Sequence, residues 1–426
     1  MAGASLGSLR LLCPLRRATM TAVQDALLTI RRYPSFALLW VSRLLSVVAF
    51  NILVVAVGWQ LYDLTNDPLD LGLVGLFQFL PIIVLTLLVG QVADRYDRRM
   101  IITICRVVQA LAVVPLMLGT AGGWLSAVVI FAIVAVIGAA RAFEDPTMTA
   151  LMPGLVPRRE FARATVWYAT ASQVARISGP AAGGLLYLLG PSVAYATGGV
   201  MFVLAACCTV LIRTAPLAGG KSPVTVASVF AGLTFAWRTP AILGSISLDL
   251  FVVLLGGATA LLPIYARDIL QTGPEGLGLL RSAPAVGALA MSLVLARFPI
   301  KERVGPLLFG TVIVFGLATI VFGVSTDLTL SLAALLVLGA ANVISVVIRF
   351  AVVQLRTPDE MRGRVSAVNS LFTGTSNQLG DFESGLTAAL FGVVPAVLIG
   401  GIGTVAVALL WMVLFPQLRR MRTLEA

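Results

Sequence analysis

The residues of this chain that could carry proton chemistry are acids placed inside long apolar stretches. Asp381, Glu383 and Asp249 all occupy such places, and a charged side chain within a membrane span is a functional-site candidate by default. Because desolvation favours the protonated form of a carboxylate, such an acid can load and release protons. We predict Asp381 as the first candidate, with Glu383 and Asp249 behind it. The alternative is a structural ion pair with Arg176 or Arg349.

Other polar side chains fall inside the same stretches and are predicted to line a cavity for a small molecule. They are Arg43, Asn51, Arg176, Asn342, Arg349, Asn377 and Gln378. An internal offset of 206 residues places Arg43 at a position equivalent to Asp249. Since their charges are opposite, we predict that these two residues form an ion pair that breaks when the parts carrying them move.

The composition shows which elements must position these residues. Of the 426 residues, 59% are hydrophobic and 12% are charged, and the mean hydropathy is +0.99. Soluble domains are about 45–50% apolar and roughly 25% charged. The main solvent of this chain must therefore be lipid.

Apolar stretches long enough to cross a membrane as helices recur along the chain. They cover residues 37–62, 69–93, 99–120, 124–144, 163–189, 191–212, 240–264, 276–297, 305–325, 328–355, 364–390 and 392–415. They are too long and too uniformly apolar for the alternating strands of a barrel. The predicted fold class is an all-α membrane protein with 12 transmembrane helices.

Arginine and lysine concentrate in alternate connections, which predicts the orientation because positive charge stays on the cytoplasmic side. Only Arg267 departs from this pattern, with Arg281 just inside the following stretch. We predict a multi-pass protein of the bacterial inner membrane with both termini in the cytoplasm. The net charge of +11 is spread over short clusters, so the predicted partners are membrane lipid, a small-molecule substrate and protons, without nucleic acid. The protein is expected to act as a monomer.

The spacing of these stretches predicts two six-helix repeats within the chain. Gly72 matches Gly278, and Gly184 matches Gly385, at offsets of about 200 residues. Parallel repeats of this kind describe a plan of secondary transporters. The predicted parts are a tail at 1–35, a bundle at 36–213, a cytoplasmic connection at 214–239, a second bundle at 240–416 and a tail at 417–426.

The residue types exclude several chemistries. The chain has no histidine, and its four cysteines lack the spacing of metal ligands, so no metal site is predicted. A phosphate-binding glycine loop with lysine and a hydroxyl residue is also absent from the sequence. We predict no cofactor and no enzymatic activity.

One ordered motif lies between the second and third stretches. Its members are Gly90, Asp94, Arg95, Arg98 and Arg99. The segment resembles the loop 2–3 signature of the major facilitator superfamily, with Asp97 at a position where that signature has glycine. The resemblance implies that Gly90 permits close helix packing and that the arginines fix the topology and lock the inner gate. A merely basic connection is the alternative.

A cluster of charges lies near the cytoplasmic end of the fourth stretch. Arg141, Glu144 and Asp145 are predicted to form an inner-gate network with Arg95 or Arg364 rather than to contact the substrate.

The fifth stretch carries Gly179, Pro180, Gly183 and Gly184. This sequence is similar to the antiporter motif of proton-coupled exporters of the same superfamily, although Ala175 replaces an upstream glycine. Pro180 removes one helix hydrogen bond, and the glycines admit a close neighbour. The motif favours export, and a purely structural bend is the alternative.

The motif at 94–99, the segment 357–364 and the glycine-rich eleventh stretch together resemble the enterobactin-exporter branch of the superfamily. That branch contains siderophore exporters and drug-efflux relatives. The resemblance implies a proton-coupled antiporter that exports a small organic molecule by alternating access. An uptake permease or lysolipid translocator of the same fold, a membrane-embedded enzyme and a non-transporting membrane sensor are the alternatives.

Overall fold

A computed structural model describes residues 33–213, 226–300 and 302–423 of the chain. Over these residues the chain is almost entirely helical and contains no β-strand. The predicted tail at 1–35 and the predicted connection at 214–239 fall partly outside the described residues.

The first part of the chain forms six long helices. They are α1 (Pro34–Thr65), α2 (Pro68–Arg95), α3 (Arg98–Gly122), α4 (Ala127–Leu151), α5 (Phe161–Leu188) and α6 (Pro191–Val210). Two short 3₁₀ turns, Met152–Gly154 and Arg158–Glu160, connect α4 to α5.

The second part begins with a short helix, and its long helices follow. They are α7 (Val226–Arg238), α8 (Pro240–Leu255), α9 (Pro274–Arg297), α10 (Val304–Val324), α11 (Leu328–Arg356), α12 (Asp359–Phe391), α13 (Val393–Leu414) and the turn α14 (Pro416–Arg419). Between α8 and α9 the chain continues through a 3₁₀ turn at Ala258–Leu261, one α-helical turn and a π-helical turn at Tyr265–Ile269.

Within the described ranges, ten helical stretches are long and apolar enough to cross a membrane. The prediction of a helical, multi-pass membrane protein is confirmed. Of the helices that match the twelve predicted stretches, α5 and α12 fall outside the ten. Both carry more polar residues, and α12 contains Asp381 and Glu383 within its length.

Proline and aspartate explain where several helices begin. Pro68 and Pro274 occupy the first helical turn, where the missing N–H costs nothing. Asp67 and Asp97 accept a hydrogen bond from the second following backbone N–H, 2.9 Å away in both cases. Asp97 has φ −59°, so the turn before α3 does not need the glycine of the usual motif.

Helix α7 lies within the stretch predicted as a connection. It ends at Arg238 and packs Ala236 against Ile242 of α8 and Val365 of α12. Because Ala236 is covered by these helices, tertiary packing stabilises a helix too short to be stable alone.

The long helices pack as two groups, α1–α6 and α8–α13, called here the N-terminal and C-terminal groups. Helix α1 packs on α5 and α6, while α11 packs on α9 and α10. The main contacts between the groups are those of α5 with α9 and of α2 with α12. The two most polar long helices therefore lie where the groups meet.

Glycine lets the groups approach to backbone contact. A Cβ on Gly385 of α12 would lie 2.6 Å from the Cα of Gly72 in α2, and one on Gly278 of α9 would lie 2.6 Å from the carbonyl oxygen of Pro180 in α5. Gly184 meets the backbone of Pro274. Close contact through small residues is a common basis of helix association in membranes.

These contacts lie toward one end of the molecule. We call this end the distal face, because α1 begins at Pro34 on the opposite, terminal face. On the distal face Arg267 Nη1 lies 3.2 Å from Asp63 Oδ1, and Tyr62 Oη donates to Asp268. The end of α1 is thereby joined to the π-helical turn of the C-terminal group.

We expect Gly385→Ala to lower the melting midpoint of the purified protein, because its methyl group would collide with the backbone of Gly72. Gly374→Ala in the same helix is the matched control, since its Cβ meets nothing within 4 Å. Alanine there gains about 1 kcal/mol of helix propensity, so its midpoint should stay equal or rise. An unchanged midpoint for Gly385→Ala would contradict the close contact.

Candidate functional site

A polar cavity lies between the two helix groups. Its volume is about 420 Å³, within the range of about 300–1,000 Å³ of small-molecule sites. The polar residues that line it are Arg43, Asn51, Arg141, Gln173, Arg176, Thr259, Arg281 and Asn342. Because both groups contribute to the lining, a bound molecule would contact both.

A narrower apolar cavity of about 90 Å³ continues from this one toward the distal face. Phe50 and Arg281 line both cavities. The narrow one is lined further by Val57 and Gly58 of α1, and by Asp381 of α12. Asp381 therefore lies at the inner end of the polar cavity, next to the contact between α2 and α12.

Asp145 lies between two arginines at the edge of the polar cavity. Its Oδ1 is 2.6 Å from Arg43 Nη1, and its Oδ2 is 3.4 Å from Arg141 Nη2. Arg43 Nε also donates to Ser172 Oγ at 3.1 Å, and the Arg141 guanidinium lies over the ring of Phe50. One carboxylate thus neutralises only part of the charge of this arginine pair.

Arg176 extends into the cavity from α5 and is exposed there. The acid that acts on it electrostatically is Asp145, which already contacts Arg43 and Arg141. Among the described residues no carboxylate forms an ion pair with Arg176. Its guanidinium is available to a molecule in the cavity.

Asp381 is surrounded by groups from three different helical segments. Thr259 Oγ1 is 3.4 Å from its Oδ1, and Arg281 is the cation that acts on it electrostatically. On the side of α2, a Cβ placed on Gly75 would lie 3.0 Å from the Asp381 Cβ. The Nε of Arg281 is buried without a hydrogen-bond partner in the described part of the chain.

The other two predicted acids have partners away from the polar cavity. Glu383 accepts a hydrogen bond from Thr387 on its own helix at 2.8 Å. Asp249 lies 2.7 Å from Arg349 Nη2 and accepts a hydrogen bond from Thr373 at 2.7 Å. The two acids of α12 therefore point in different directions, and of these two only Asp381 lines the narrow cavity that continues from the polar one.

The predicted ion pair between Arg43 and Asp249 is wrong for this structure. Arg43 pairs with Asp145 and Asp249 pairs with Arg349. The physical reason is proximity. Each of the two residues lies next to an opposite charge on another helix of its own group.

The predicted cavity residues divide into two sets. Arg43, Asn51, Arg176 and Asn342 line the polar cavity. Asn377 is exposed and donates to the Thr373 carbonyl, Gln378 packs against Gly75 of α2, and Arg349 is buried beside Asp249. These last three do not line it in this structure.

Arg364 does not join the predicted inner-gate network. It is exposed, and its Nη1 contacts Met361 Sδ at 3.5 Å. Arg141 and Asp145 contact one another, whereas Glu144 points away into the N-terminal group. The network with Arg364 is therefore a wrong prediction for this conformation, because Asp145 and Glu144 pair with arginines of their own group.

Glu144 belongs to a fully buried polar cluster. Its Oε1 lies 3.2 Å from Arg106 Nε, and it accepts hydrogen bonds from Ser46 and Gln109 at 2.9 and 2.6 Å. Arg106 also donates to Ser42 and to the Ala205 carbonyl. This cluster joins four helices of the N-terminal group.

The arginines of the motif at 90–99 bind helix ends. Arg98 Nη1 donates to the Ala150 carbonyl at 3.0 Å, and Arg99 Nη1 donates to the Ile212 carbonyl at 2.9 Å. Both carbonyls lie at C-terminal ends of helices, where cations are favourable. Arg95 is exposed, whereas the surroundings of Gly90 and the side chain of Asp94 are outside what the structure describes.

The glycines of the predicted antiporter motif place α5 against neighbours on both sides. Gly179 and Gly183 meet Asn51 and Ile52 of α1, while Gly184 meets α9. The polar cavity lies beside this contact, so the motif positions Asn51 and Arg176.

Sequence reasoning missed three cavity residues, Arg281, Gln173 and Thr259, and it assigned a fourth, Arg141, to the inner gate rather than to the cavity. Arg281 lies seven residues into α9 and was treated as an exception to the charge pattern of the connections. Its position inside an apolar stretch was a usable signal. Gln173 and Thr259 carried no comparable signal, because polar uncharged residues occur throughout such helices.

The fold and the cavity define a transporter of the major facilitator type. A bacterial homologue of the human lysosomal transporter Spinster, solved inward-facing and occupied, matches with a TM-score of 0.73 and 14% identity over 91% of this chain and 99% of that one. A bacterial homologue of the iron transporter ferroportin, inward-facing, matches with a TM-score of 0.70 and 17% identity over 91% and 99%. At these identities the likeness concerns the fold.

The chain belongs to the family of transmembrane secretion effectors within this superfamily, whose profile matches residues 28–425. It is similar to the enterobactin exporter EntS of Citrobacter koseri, with 25% identity over 397 residues, covering 92% of this chain and 94% of the relative. The same exporter of Escherichia coli O1:K1 is 24% identical over the same shares. The predicted resemblance is thereby confirmed.

We expect Glu144→Gln to destabilise the protein by ~3–5 kcal/mol, because it leaves the Arg106 charge buried without a counterion. The matched control is Asp97→Asn, which removes the exposed pair with Arg99 but keeps a helix-capping side chain. That change should cost ~0–1 kcal/mol. Thermal unfolding of both purified variants measures the difference, and equal melting midpoints would contradict the assigned role of the cluster.

Proposed function

We propose that this chain is an efflux transporter that exports a small organic molecule, siderophore-like or drug-like, across the bacterial inner membrane in exchange for protons. It would work by alternating access, with two six-helix halves rocking around the polar cavity. The observation that carries the proposal is an arginine-lined cavity enclosed between two helix groups whose main contacts run through glycines.

Two repeats account for the symmetry of these contacts. The contact of Gly72 with Gly385 and the contacts of Gly278 and Gly184 across α5 and α9 involve exactly the glycines matched by the internal offsets. The offsets relate α2 to α9 and α5 to α12. The contact of α2 with α12 is therefore equivalent to the contact of α9 with α5. A pseudo-two-fold axis along the membrane normal supports rocking about the cavity.

Equivalent ion pairs support the same layout. Arg43 pairs with Asp145, and the positions 206 and 204 residues later hold Asp249 and Arg349, which also pair. The signs are exchanged between the two pairs, but the helices they join are equivalent.

We infer that the terminal face is cytoplasmic and that the cavity is in its inward-facing arrangement. Exposed arginines such as Arg95, Arg213 and Arg238 lie at the terminal face, as the distribution of positive charge in membrane proteins requires. Arg267 is the exception to this distribution, because it lies at the distal face. Since Asp63 pairs with it, it adds little net positive charge there. The closed distal contacts then shield the cavity from the outer side.

Export is the direction supported by the relatives. Proteins described as secretion effectors and the enterobactin exporter EntS of two bacteria match nearly the full length of the chain. Enterobactin is therefore the first cargo to test.

Asp381 is the proposed coupling carboxylate, because it lines the narrow cavity between the polar cavity and the contact of α2 with α12. In its charged form it can accept hydrogen bonds from cargo hydroxyl or amine groups and balance Arg281. In its protonated form it loses much of that acceptor capacity. Cargo and proton would thus compete for one site, which is the requirement for exchange.

We expect inside-out vesicles containing the protein to take up enterobactin when a proton gradient is imposed, with a matching dissipation of the gradient. Asp381→Asn should abolish the enterobactin-dependent dissipation, because an amide does not titrate. A pH-sensitive dye and labelled enterobactin measure the two fluxes.

Glu383→Gln is the matched control, since Glu383 bonds within its own helix and does not line the cavity. It should leave both fluxes within about twofold of the native protein. Dissipation that persists in Asp381→Asn would contradict the coupling role. Uptake in the native protein without any proton movement would contradict exchange for protons while leaving export intact.

A further inference from the structure

A second cavity lies on the outside of the C-terminal group, near the terminal face. It is a groove of about 430 Å³ between α7, α8, α12 and α13. Its walls are formed mainly by large apolar side chains, including Trp237, Leu250, Phe251, Phe372, Trp411 and Phe415. The groove is separate from the polar cavity, and the proposed transport cycle does not use it.

The few polar groups in this groove bond to one another. Trp411 Nε1 donates to Ser247 Oγ at 3.0 Å, and that hydroxyl donates to the Leu243 carbonyl at 2.6 Å. Among the described residues that line the groove, Trp237 Nε1 is left as a side-chain donor at the exposed rim, and the rest of the wall is hydrocarbon. The occupant of the inner groove must therefore be apolar.

The groove is open toward the lipid side. Trp237 is 70% exposed, and Leu414 is 57% exposed. Trp411, by contrast, is only 8% exposed and forms part of the inner wall. A flexible apolar chain entering from the membrane could cover the outer residues and reach Trp411.

Arginines lie at the end of the groove on the terminal face. Arg238 directly follows Trp237, and Arg419 and Arg420 follow Phe415 by a few residues, all three exposed. Leu418 between them packs against Gly244 of α8, and the Met421 carbonyl accepts a hydrogen bond from Gly305 N at 2.9 Å. The segment 418–421 thereby packs beside the first turns of α8 and α10.

These arginines have no carboxylate partner within ion-pair distance in the described chain. The acids of the surrounding surface, Glu302 and Glu360, are exposed and form no ion pair with them. An apolar groove ending in unpaired cations complements a molecule with an acyl chain and an anionic head. Basic sites at the cytoplasmic ends of membrane helices recognise anionic lipid headgroups in this way.

We propose that this groove binds an anionic glycerophospholipid, with one acyl chain against Trp411 and the phosphate at Arg238, Arg419 and Arg420. The bound lipid would join α7, the link between the two helix groups, to α8 and α13. The proposal requires membrane insertion but not the proposed export, so the two can fail independently.

The test uses quenching of tryptophan by bromine on lipid chains, with the full chain in nanodiscs. The Trp411 signal is the difference between the native protein and Trp411→Phe. Brominated phosphatidylglycerol should quench it at a mole fraction about fivefold lower than brominated phosphatidylcholine. Equal quenching by the two lipids would overturn the proposal.

Two double variants identify the headgroup site. Arg419→Gln with Arg420→Gln should abolish the preference for phosphatidylglycerol. Arg213→Gln with Arg297→Gln, which removes the same charge from the same face away from the groove, should retain it. A preference lost in both would indicate a general surface charge effect, and one kept in both would exclude these arginines; either result overturns the assignment. Loss of the preference on adding inorganic phosphate would reveal a phosphate site only and would also overturn it.

Discussion

An arginine inside a membrane protein must lie next to a negative charge or next to a water-filled space, and this constraint organises the present structure. Arg106 and Arg349 meet it with buried carboxylates. Removing one partner of a buried ion pair destabilises a protein strongly, because the other charge is left buried without a counterion. These clusters therefore hold the helices within each group in a fixed arrangement. Arg176 and Arg281 lack a direct ion pair in the described chain, and both line the polar cavity. The uncompensated charge is thus concentrated where a cargo would bind.

Glycine sets a second constraint on the structure, because it determines how closely the two helix groups approach. Backbone contact at Gly72, Gly278 and Gly385 brings the groups together toward one end without the interlocking of large side chains. Dispersion acts strongly at this short backbone distance, and a few hydrogen bonds, such as Gln173 Nε2 to the Ala285 carbonyl at 2.8 Å, add to it. In the proposed cycle these contacts would separate and reform, whereas the polar clusters within each group would stay intact.

The sequence was a good guide to the helices, because apolar length is a direct requirement of the bilayer. It also led to Asp381, Arg43 and Arg176, since charges in apolar stretches are conspicuous. It failed where the answer depended on which helices pack together. Asp249 was assigned a partner across the groups, although its nearest opposite charge lies on a helix of its own group. Arg364 was also assigned partners across the groups, whereas those acids pair within the N-terminal group. Arg281 was missed because the charges near it were used to predict the orientation of the chain. The depth of Arg281 within its apolar stretch was not considered.

The exchanged signs of the two equivalent ion pairs bear on how such a chain could have arisen. On the two-repeat layout, Arg43 with Asp145 became Asp249 with Arg349, or the reverse. A single reversal in either pair would place two like charges in contact. The path between the two arrangements must therefore have passed through neutral residues or through paired changes. The two residues of each ion pair must therefore change together in evolution. A comparison of the two halves should use pairs of positions rather than single positions.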